Sequence, residues 1–232
     1  MLNTLGDLLG PYSETIGAVA GIVTCLQAFS GGFLINDIRK RGFADGFSAA
    51  PFLGGMVISI LGYKLASIVN DTAMIRTNLI GLAINAIYML CFYVYTSAET
   101  RPSIRKQIVW ASVFSATCIA YASLEDPTQL EFRFGTLLTT LLACLVGSPM
   151  LGVGEIIRKK SAANLPFPII LCGTMVAALW LTYGISLKNQ ILIYQNAFLL
   201  LLSAPQLFLC FIYPGPPNND ETDSEKLLKK RK

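Results

Sequence analysis

Residues 24–41 read TCLQAFSGGFLINDIRKR, an apolar run that ends in the basic cluster Arg39-Lys40-Arg41. Residues 143–160, ACLVGSPMLGVGEIIRKK, have the same form. Thr24-Cys25-Leu26 is matched by Ala143-Cys144-Leu145, and Ile38–Arg41 is matched by Ile157–Lys160, both at an offset of 119. An apolar segment that ends in a basic cluster, found twice in one chain, predicts a membrane protein with an internal repeat.

The composition excludes several classes of protein. Hydrophobic residues make up 53% of the chain and charged residues 14%, which is too apolar for an ordinary soluble domain. There is no histidine, so the commonest metal ligand and general base are missing, and no nucleophile–base pair is visible. The six cysteines lie in apolar runs and are predicted to be reduced packing residues. We expect no enzyme activity, no metal and no cofactor.

The basic residues orient the chain in the membrane. Fourteen of the 18 Lys and Arg residues fall in four clusters: Arg39–Arg41, Arg101 with Arg105–Lys106, Arg158–Lys160, and Lys226 with Lys229–Lys232. Cytoplasmic loops carry the excess of Lys and Arg. The clusters and the C-terminus are therefore predicted to be cytoplasmic, and the N-terminus outside or lumenal. The net charge of +4 comes from these loops and gives no reason to expect a nucleic-acid partner.

Seven stretches have the roughly 20 apolar residues that a helical span needs. The predicted spans are 13–34, 49–69, 77–97, 107–124, 134–154, 166–187 and 190–213. The predicted outside turns are Asn70–Arg76, Glu125–Arg133 and Lys188-Asn189. Residues 214–232 begin Pro-Gly-Pro-Pro and continue with acidic and then basic residues, which predicts a disordered cytoplasmic tail.

The repeat sets the arrangement of the spans. Each copy holds three helices, and both copies carry their basic cluster on the same side, so one additional crossing must separate them. The fourth span supplies that crossing. The prediction is an all-α protein of two parallel three-helix repeats joined by a linker helix, in a 3+1+3 order. The domains are then 1–97, the linker 98–133, and 134–213, followed by the tail 214–232.

Neutral polar groups, rather than charges, occupy the middle of the spans. An ionisable group at the midplane would indicate ion coupling, and the sequence places none there. There is also no phosphate-binding loop for ATP. Asn78 and Asn196 hold matching places at an offset of 118 and are predicted to face each other. Two amides and the apolar face of Trp180, which lies mid-span, suit an uncharged polyhydroxylated ligand. The alternatives are helix–helix hydrogen bonds for the amides and plain packing for the indole.

Prolines indicate flexible points near the cytoplasmic ends of the spans. Pro51 and Pro166 each follow a basic cluster, and Pro149 lies within the fifth span. Proline removes a backbone hydrogen bond and bends a helix, so these three residues are predicted to act as gating hinges. The alternative for Pro166 is that proline is well tolerated in the first turn of a helix.

These residues together resemble the SWEET, or saliva-type, family of sugar transporters. The resemblance extends over residues 12 to 213. It rests on Pro51-Phe52, Asn78 with Gly81 and Tyr88, Ser148-Pro149, Lys160-Ser161 before Leu165-Pro166-Phe167, Trp180 with Tyr183-Gly184, and Asn196. It implies bidirectional facilitated diffusion of mono- or disaccharides. It also implies that Asn78, Asn196 and Trp180 bind the sugar, and that Pro51, Pro149 and Pro166 gate the path.

The sequence departs from the family pattern at several places. Gly62 stands where the first repeat of the family has a second stacking tryptophan, so stacking would come from one side or from Tyr63. The proline of the first span is absent, and Gly31-Gly32 lies nearby. Ile58 and Val176 are apolar where some members of the family are polar.

Two other classes of membrane protein share part of this pattern. A seven-span receptor would share the orientation but needs no internal repeat. A trafficking receptor of the same fold would want basic residues in its cavity, and the spans lack them. The last residues, Lys229–Lys232, have the form of a retrieval signal and also that of a simple basic cluster near anionic lipid. Both the Golgi and the plasma membrane therefore remain open, and small-residue faces are compatible with a homo-oligomer.

Overall fold

The structure, a computed structural model, describes residues 2–147, 153–162, 165 and 167–213. This part of the chain contains one 3-10 turn, Gly10–Tyr12, and ten α-helices: α1 Leu2–Leu9, α2 Ser13–Ala28, α3 Gly31–Arg41, α4 Ala50–Ile68, α5 Thr72–Tyr95, α6 Arg101–Leu124, α7 Pro127–Gly147, α8 Val153–Lys159, α9 Phe167–Leu187 and α10 Gln190–Ile212. Seven helical segments are long and apolar enough to cross a membrane. The predicted all-α fold with seven spans is confirmed.

The helices form two triplets and a linker. In the first half, α5 packs between α2 and α4, and in the second half α10 packs between α7 and α9. The linker α6 lies against α4. The halves meet where α2 packs on α9 and where α4 packs on α7. We call the end where α3 meets α4 and α5 meets α6 the basic end of the bundle, and the other the opposite end.

The two halves follow the same backbone path at a separation of 118 residues. Left-handed φ angles occur at Gly42 (+80°) and Lys160 (+49°), and at Asn70 and Lys188 (both +55°). In each half the loop at the basic end also returns to the third helix. The Ala44 amide donates to the Tyr95 carbonyl, and the Ala162 amide donates to that of Tyr213, both at 2.9 Å.

The predicted offset of 119 at the basic clusters is therefore wrong by one residue. Ile38 is fully buried, and its counterpart is the buried Ile156, whereas Ile157 is 49% exposed. One residue turns a helix face by about 100°, so only the separation of 118 keeps the buried faces matched.

Several span boundaries also differ from the prediction. Asp71 caps α5 by accepting the Met74 amide at 2.8 Å, and Asp126 accepts the Thr128 amide at 2.8 Å at the start of α7. The predicted turns Asn70–Arg76 and Glu125–Arg133 are therefore mostly helical, and α6 begins at Arg101 rather than at residue 107. Long charged side chains near a span's end reach water from within the helix, so they do not mark where it stops.

The first span is broken, although residues 13–34 were predicted to be one helix. It stops at Ala28 and resumes at Gly31. The Tyr88 ring fills the space beside the break, where a Cβ on Gly31 would lie 2.9 Å from it, and its hydroxyl donates to the Phe29 carbonyl at 3.3 Å. At the place of Tyr88 in the second half, Gln206 donates to the Val146 carbonyl of α7 at 2.7 Å.

The helix α1 was not predicted. It packs along α9, where Gly6 approaches the Ile185 carbonyl so closely that a Cβ would lie 2.9 Å from it. Lys188 at the end of α9 forms an ion pair with Asp7 of α1. The first residues therefore cover the second half at the opposite end.

The buried side chains show where the halves join. At the opposite end one core contains residues from both halves, among them Leu61, Leu65, Phe134, Tyr183 and Leu192. At the basic end the described residues form two separate cores, one around Phe52 and Phe92 and one around Ile156 and Ile170. The halves are thus packed together at the opposite end.

Candidate functional site

The two predicted asparagines have the same local geometry. Asn78 of α5 is half-buried and its Nδ2 donates to the Met74 carbonyl at 2.9 Å. Asn196 of α10 is 3% exposed and its Nδ2 donates to the Leu192 carbonyl, also at 2.9 Å. Within the described residues neither amide donates to the other. A carboxamide has a second N–H and a carbonyl oxygen, so each retains groups for a further partner.

Gly62 makes room for the Asn78 side chain. A Cβ built at Gly62 would overlap the Asn78 carboxamide oxygen, so α4 and α5 approach closely because position 62 has no side chain. A tryptophan at position 62 is incompatible with this position of Asn78. Tyr63 lies about 100° further round the helix and is 41% exposed, so it does not take the place of the missing ring.

Trp180 belongs to the second half and is held by the first. Its Nε1–H donates to Thr24 Oγ1 at 2.9 Å, and the Thr24 hydroxyl donates in turn to the Ala20 carbonyl at 2.7 Å. Its ring meets that of Tyr183 edge to face, with centroids 5.5 Å apart. The indole orientation is therefore fixed from both halves, because α2 supplies the acceptor and α9 supplies the aromatic neighbour.

A buried carboxylate closes the opposite end. The Tyr183 hydroxyl donates to Asp71 Oδ2 at 2.8 Å, and Asp71 is only 8% exposed. At the matching place in the second half, Asn189 accepts the Leu192 amide and donates to Glu131 at 3.1 Å. Among the described residues, the bond from Tyr183 to Asp71 therefore has no counterpart at Asn189, which bonds to α7 of its own half.

Thr24, Asp71 and Tyr183 are not among the site residues that the sequence predicts. Tyr183 and Gly184 had entered only through the family resemblance. Asp71 had one usable signal, since an aspartate three residues before an apolar run is a helix cap. Thr24 had none, because its partner lies 156 residues away.

The predicted hinges are only partly described. Pro51 is exposed in the first turn of α4, while Pro149 and Pro166 lie outside the described residues. Pro205 lies inside α10 and was not predicted as a hinge. It lacks the N–H that would bond to the Leu201 carbonyl, which weakens α10 at that point.

The side chains predicted to bind the ligand are themselves neutral: the amides of Asn78 and Asn196, each bonded to its own helix, and the indole of Trp180, bonded to Thr24 of the other half. The described residues contain no group of three His, Cys, Asp or Glu side chains placed to hold a metal ion. Amides with an aromatic face can hydrogen-bond and stack on a neutral polyol.

Comparisons with known proteins identify the family of this chain. A family model described as "Sugar efflux transporter for intercellular exchange" matches the chain twice, at residues 14–100 and 132–218, which are again 118 apart. A protein named "Sugar transporter SWEET1" from Drosophila pseudoobscura pseudoobscura is 28% identical over 87% of this chain and 89% of its own length. "Bidirectional sugar transporter SWEET14" from Arabidopsis thaliana is 25% identical over 92% of this chain and 79% of its own.

A solved structure shares the fold. A eukaryotic SWEET transporter superposes with a TM-score of 0.77 at 22% identity, over 89% of this chain and 99% of the other. The two matches to the family model together include most of the chain and both three-helix halves. This chain is therefore a multi-pass membrane protein that belongs to the SWEET family of sugar efflux transporters.

Proposed function

We propose that this protein moves mono- or disaccharides across a membrane in both directions by facilitated diffusion. The observation that carries this proposal is the Trp180 indole, held between the halves by the Thr24 hydroxyl at 2.9 Å. Family membership supports the substrate class, since relatives are named sugar transporters. The spans offer no midplane charge for coupling to an ion, so the concentration gradient of the sugar alone would drive flux.

We assign the sugar contacts to Asn78, Asn196 and Trp180. The asparagines occupy matching places in the two halves, and each has one N–H and a carbonyl oxygen beyond its bond to its own helix. Trp180 presents an apolar ring face to one side of the sugar. Because Gly62 stands at the matching place in the first half, stacking comes from one half only.

Alternating access would proceed by separation of the halves at one end and closure at the other. The shared core and the bond from Tyr183 to Asp71 close the opposite end, while at the basic end the described residues form two separate cores. These features support a conformation that is open at the basic end. Pro51, Pro149 and Pro166 are proposed as hinges for the change, and Pro205 joins them because it interrupts α10.

The orientation follows from the basic clusters. We place the basic end in the cytoplasm and the N-terminus outside or in the lumen, in the plasma membrane or the Golgi membrane. The partners are the bilayer and a small neutral sugar, and no catalytic activity is proposed.

Uptake of a labelled sugar into proteoliposomes tests the site. We expect Asn78→Ala to reduce uptake at least tenfold, because it removes hydrogen-bond partners in the path. The matched control is Asn85→Ala. Asn85 lies on the same helix, donates to the Gly81 carbonyl at 2.8 Å, and overlaps a Cβ built at Gly55. Its packing therefore resembles that of Asn78, and we expect its loss to change uptake by no more than about twofold.

Two results would decide against the assignment. Equal losses in Asn78→Ala and Asn85→Ala would mean that these amides act only by packing α4 against α5. Normal uptake in Asn78→Ala, Asn196→Ala and Trp180→Ala would show that none of these residues binds the sugar, even though the protein transports it.

A further inference from the structure

A groove of about 690 Å³ runs between α2 and α5 in the first half. It extends from Ser13 and Glu14 at the opposite end to Phe29, and along α5 from Thr72 to Ile80. Ala73 and Ile80 lie on the face of α5 turned away from Asn78, by about 140° and 160°. The groove therefore lies on the face of α5 turned away from Asn78, and Tyr183 of α9 also lines it.

The second half has a counterpart of about 330 Å³ between α7 and α10. All eight residues that line it lie 118 positions after residues that line the first groove. The smaller volume has a direct cause at the position of Ala73, where the second half has Ile191. The Ile191 Cγ2 lies so close to Gly135 that a Cβ there would be 2.5 Å away. The second groove is thus partly filled by its own side chain.

The two grooves also differ in charge. Glu14 and Arg76 lie at the mouth of the first groove, and both are exposed. In the described part of the chain neither forms an ion pair or a side-chain hydrogen bond. Phe132 and Tyr194 take their places in the second groove, and both are neutral. The first groove therefore offers a cation and an anion at one end of an apolar channel.

That pattern is complementary to a zwitterionic phospholipid. A guanidinium binds a phosphate through two parallel hydrogen bonds, and a carboxylate attracts a quaternary ammonium. The exposed Ile22, Leu26 and Ile80 line the channel below the charges. From Glu14 to Phe29 the channel is about 22 Å long, and one leaflet of hydrocarbon is about 15 Å thick. An acyl chain of one leaflet fits along it.

We propose that the groove between α2 and α5 binds one phosphatidylcholine molecule from the leaflet at the opposite end. The phosphate lies against Arg76, the choline faces Glu14, and one acyl chain lies between the helices. The groove between α7 and α10 does not bind this lipid, because it lacks both charges and half the volume. The lipid site lies on the other face of α5 from Asn78, although Tyr183, which lines it, also contacts Trp180. Its test does not depend on the transported substrate.

Photo-crosslinking tests the proposal. The full-length protein is reconstituted in phosphatidylcholine vesicles that contain a trace of phosphatidylcholine with a diazirine on one acyl chain. Mass spectrometry of peptides then locates the adducts. We expect adducts on α2 and α5, about tenfold more than on α7 and α10. A diacylglycerol with the same diazirine, which lacks the headgroup, should show a smaller preference for α2 and α5, because only the difference in volume remains.

Three variants make the test specific. Arg76→Gln should reduce the adducts on α2 about tenfold. Ala73→Ile, which installs the side chain of the second groove, should reduce them by a similar factor. Tyr194→Gln, the matched change in the second groove, should alter nothing. Arg76 is exposed, so its variant keeps the test valid even if Ala73→Ile fails to fold.

Several outcomes would overturn the proposal. One is equal labelling of both grooves by the phosphatidylcholine probe, and another is unchanged labelling in Arg76→Gln. A third is protein–protein crosslinks when the diazirine is placed at residue 22 instead. The last would mean that a second copy of the chain covers the groove.

Discussion

At the scale of single residues, the candidate site depends on glycines, which have no side chain, as much as on polar side chains. Gly62 lets the Asn78 carboxamide lie against α4, and Gly55 does the same for Asn85. Between them, Gly81 faces the Ser59 hydroxyl, which a Cβ would approach to 3.1 Å. Glycine and a polar side chain thus face each other at three successive levels of the α4–α5 contact, which keeps these helices close.

The first prediction concerns Gly62. We expect Gly62→Ala to destabilise the protein by about 1–3 kcal/mol, because the new methyl group overlaps Asn78 inside a packed contact. The control is Gly54→Ala on the same helix, where nothing lies within 4 Å of a built Cβ. That change should be neutral or stabilising by up to about 1 kcal/mol, since alanine favours helix. Thermal unfolding in detergent measures both, and equal midpoints would contradict the close packing.

The second prediction concerns Thr24. Thr24→Val keeps the shape but removes the acceptor for the Trp180 indole, which leaves a partly buried donor unpaired at a cost of about 1–3 kcal/mol. We expect the KM for sugar to rise several-fold with little loss of expression, and Thr24→Ser to restore it. The control is Thr140→Val, since Thr140 is exposed and donates only to its own helix. An unchanged KM in Thr24→Val would mean that the indole needs no anchor.

At the scale of helices, the ends of α2 and α7 are held by side chains of the third helix in each half. Tyr88 donates to Phe29 beside the break in the first span, and Gln206 donates to Val146 near the end of α7. The two donors are 118 residues apart and chemically different. The position of this contact is therefore shared by the repeats although the residue is not.

Gln206 gives the third prediction. It is 2% exposed, and Gln206→Leu leaves the Val146 carbonyl without this donor. An unsatisfied buried carbonyl costs about 1–3 kcal/mol, so we expect a lower unfolding temperature and slower transport. Gln190→Leu, an exposed glutamine at the start of the same helix, serves as the control and should leave both unchanged. A Gln206→Leu protein as stable as the control would show that Val146 is satisfied otherwise.

The helices show how far the sequence alone reaches. Apolar length alone predicted all seven spans, and α10 was predicted to within one residue of its end. Boundaries failed at Arg76 and Arg133, because a charged side chain can remain in a helix while its head group reaches water. The predicted offset between the repeats was wrong by one residue, because it was taken from short identical sequences. The burial of Ile38, which sets the correct offset, is seen only in the structure.

The candidate site was also predicted only in part from the sequence. Asn78, Asn196 and Trp180 follow from matching positions and from the family resemblance, and their roles remain predictions. Thr24, Asp71 and Tyr183 act through contacts between residues 112 and 156 positions apart, which no local pattern encodes. The Asn78 carboxamide fills the space beside Gly62 because α4 lies close to α5, and the sequence does not show this distance.

At the scale of the whole molecule, the halves are alike in backbone and unlike in the contacts they share. A hydrogen bond from Tyr183 to the buried Asp71 joins them at the opposite end. The residue at the place of Asp71 in the second half, Asn189, contacts Glu131 instead. The stability of the closed opposite end therefore depends on one asymmetric pair in addition to the shared core.

The fourth prediction follows from that pair. Tyr183→Phe removes a donor from a buried carboxylate at a cost of about 1.5–3 kcal/mol, which favours the conformation open at the opposite end. A cysteine introduced at Ile68, in a background without native cysteines, should then react several-fold faster with an impermeant maleimide. Tyr194→Phe is the control, because in the described part of the chain the Tyr194 hydroxyl hydrogen-bonds to Gln190 of its own helix. Equal rates in the two variants would mean that the core alone closes this end.

The central claim is that sugar crosses passively through a neutral path between the halves, and exchange across proteoliposomes tests it most directly. Vesicles with the same total sugar concentration inside and outside should exchange unlabelled for labelled sugar. The rate should be the same in either direction. The rate should not change with an imposed pH or Na⁺ gradient. Accumulation of sugar that depends on either ion gradient, or no exchange at all with folded protein, would contradict the account.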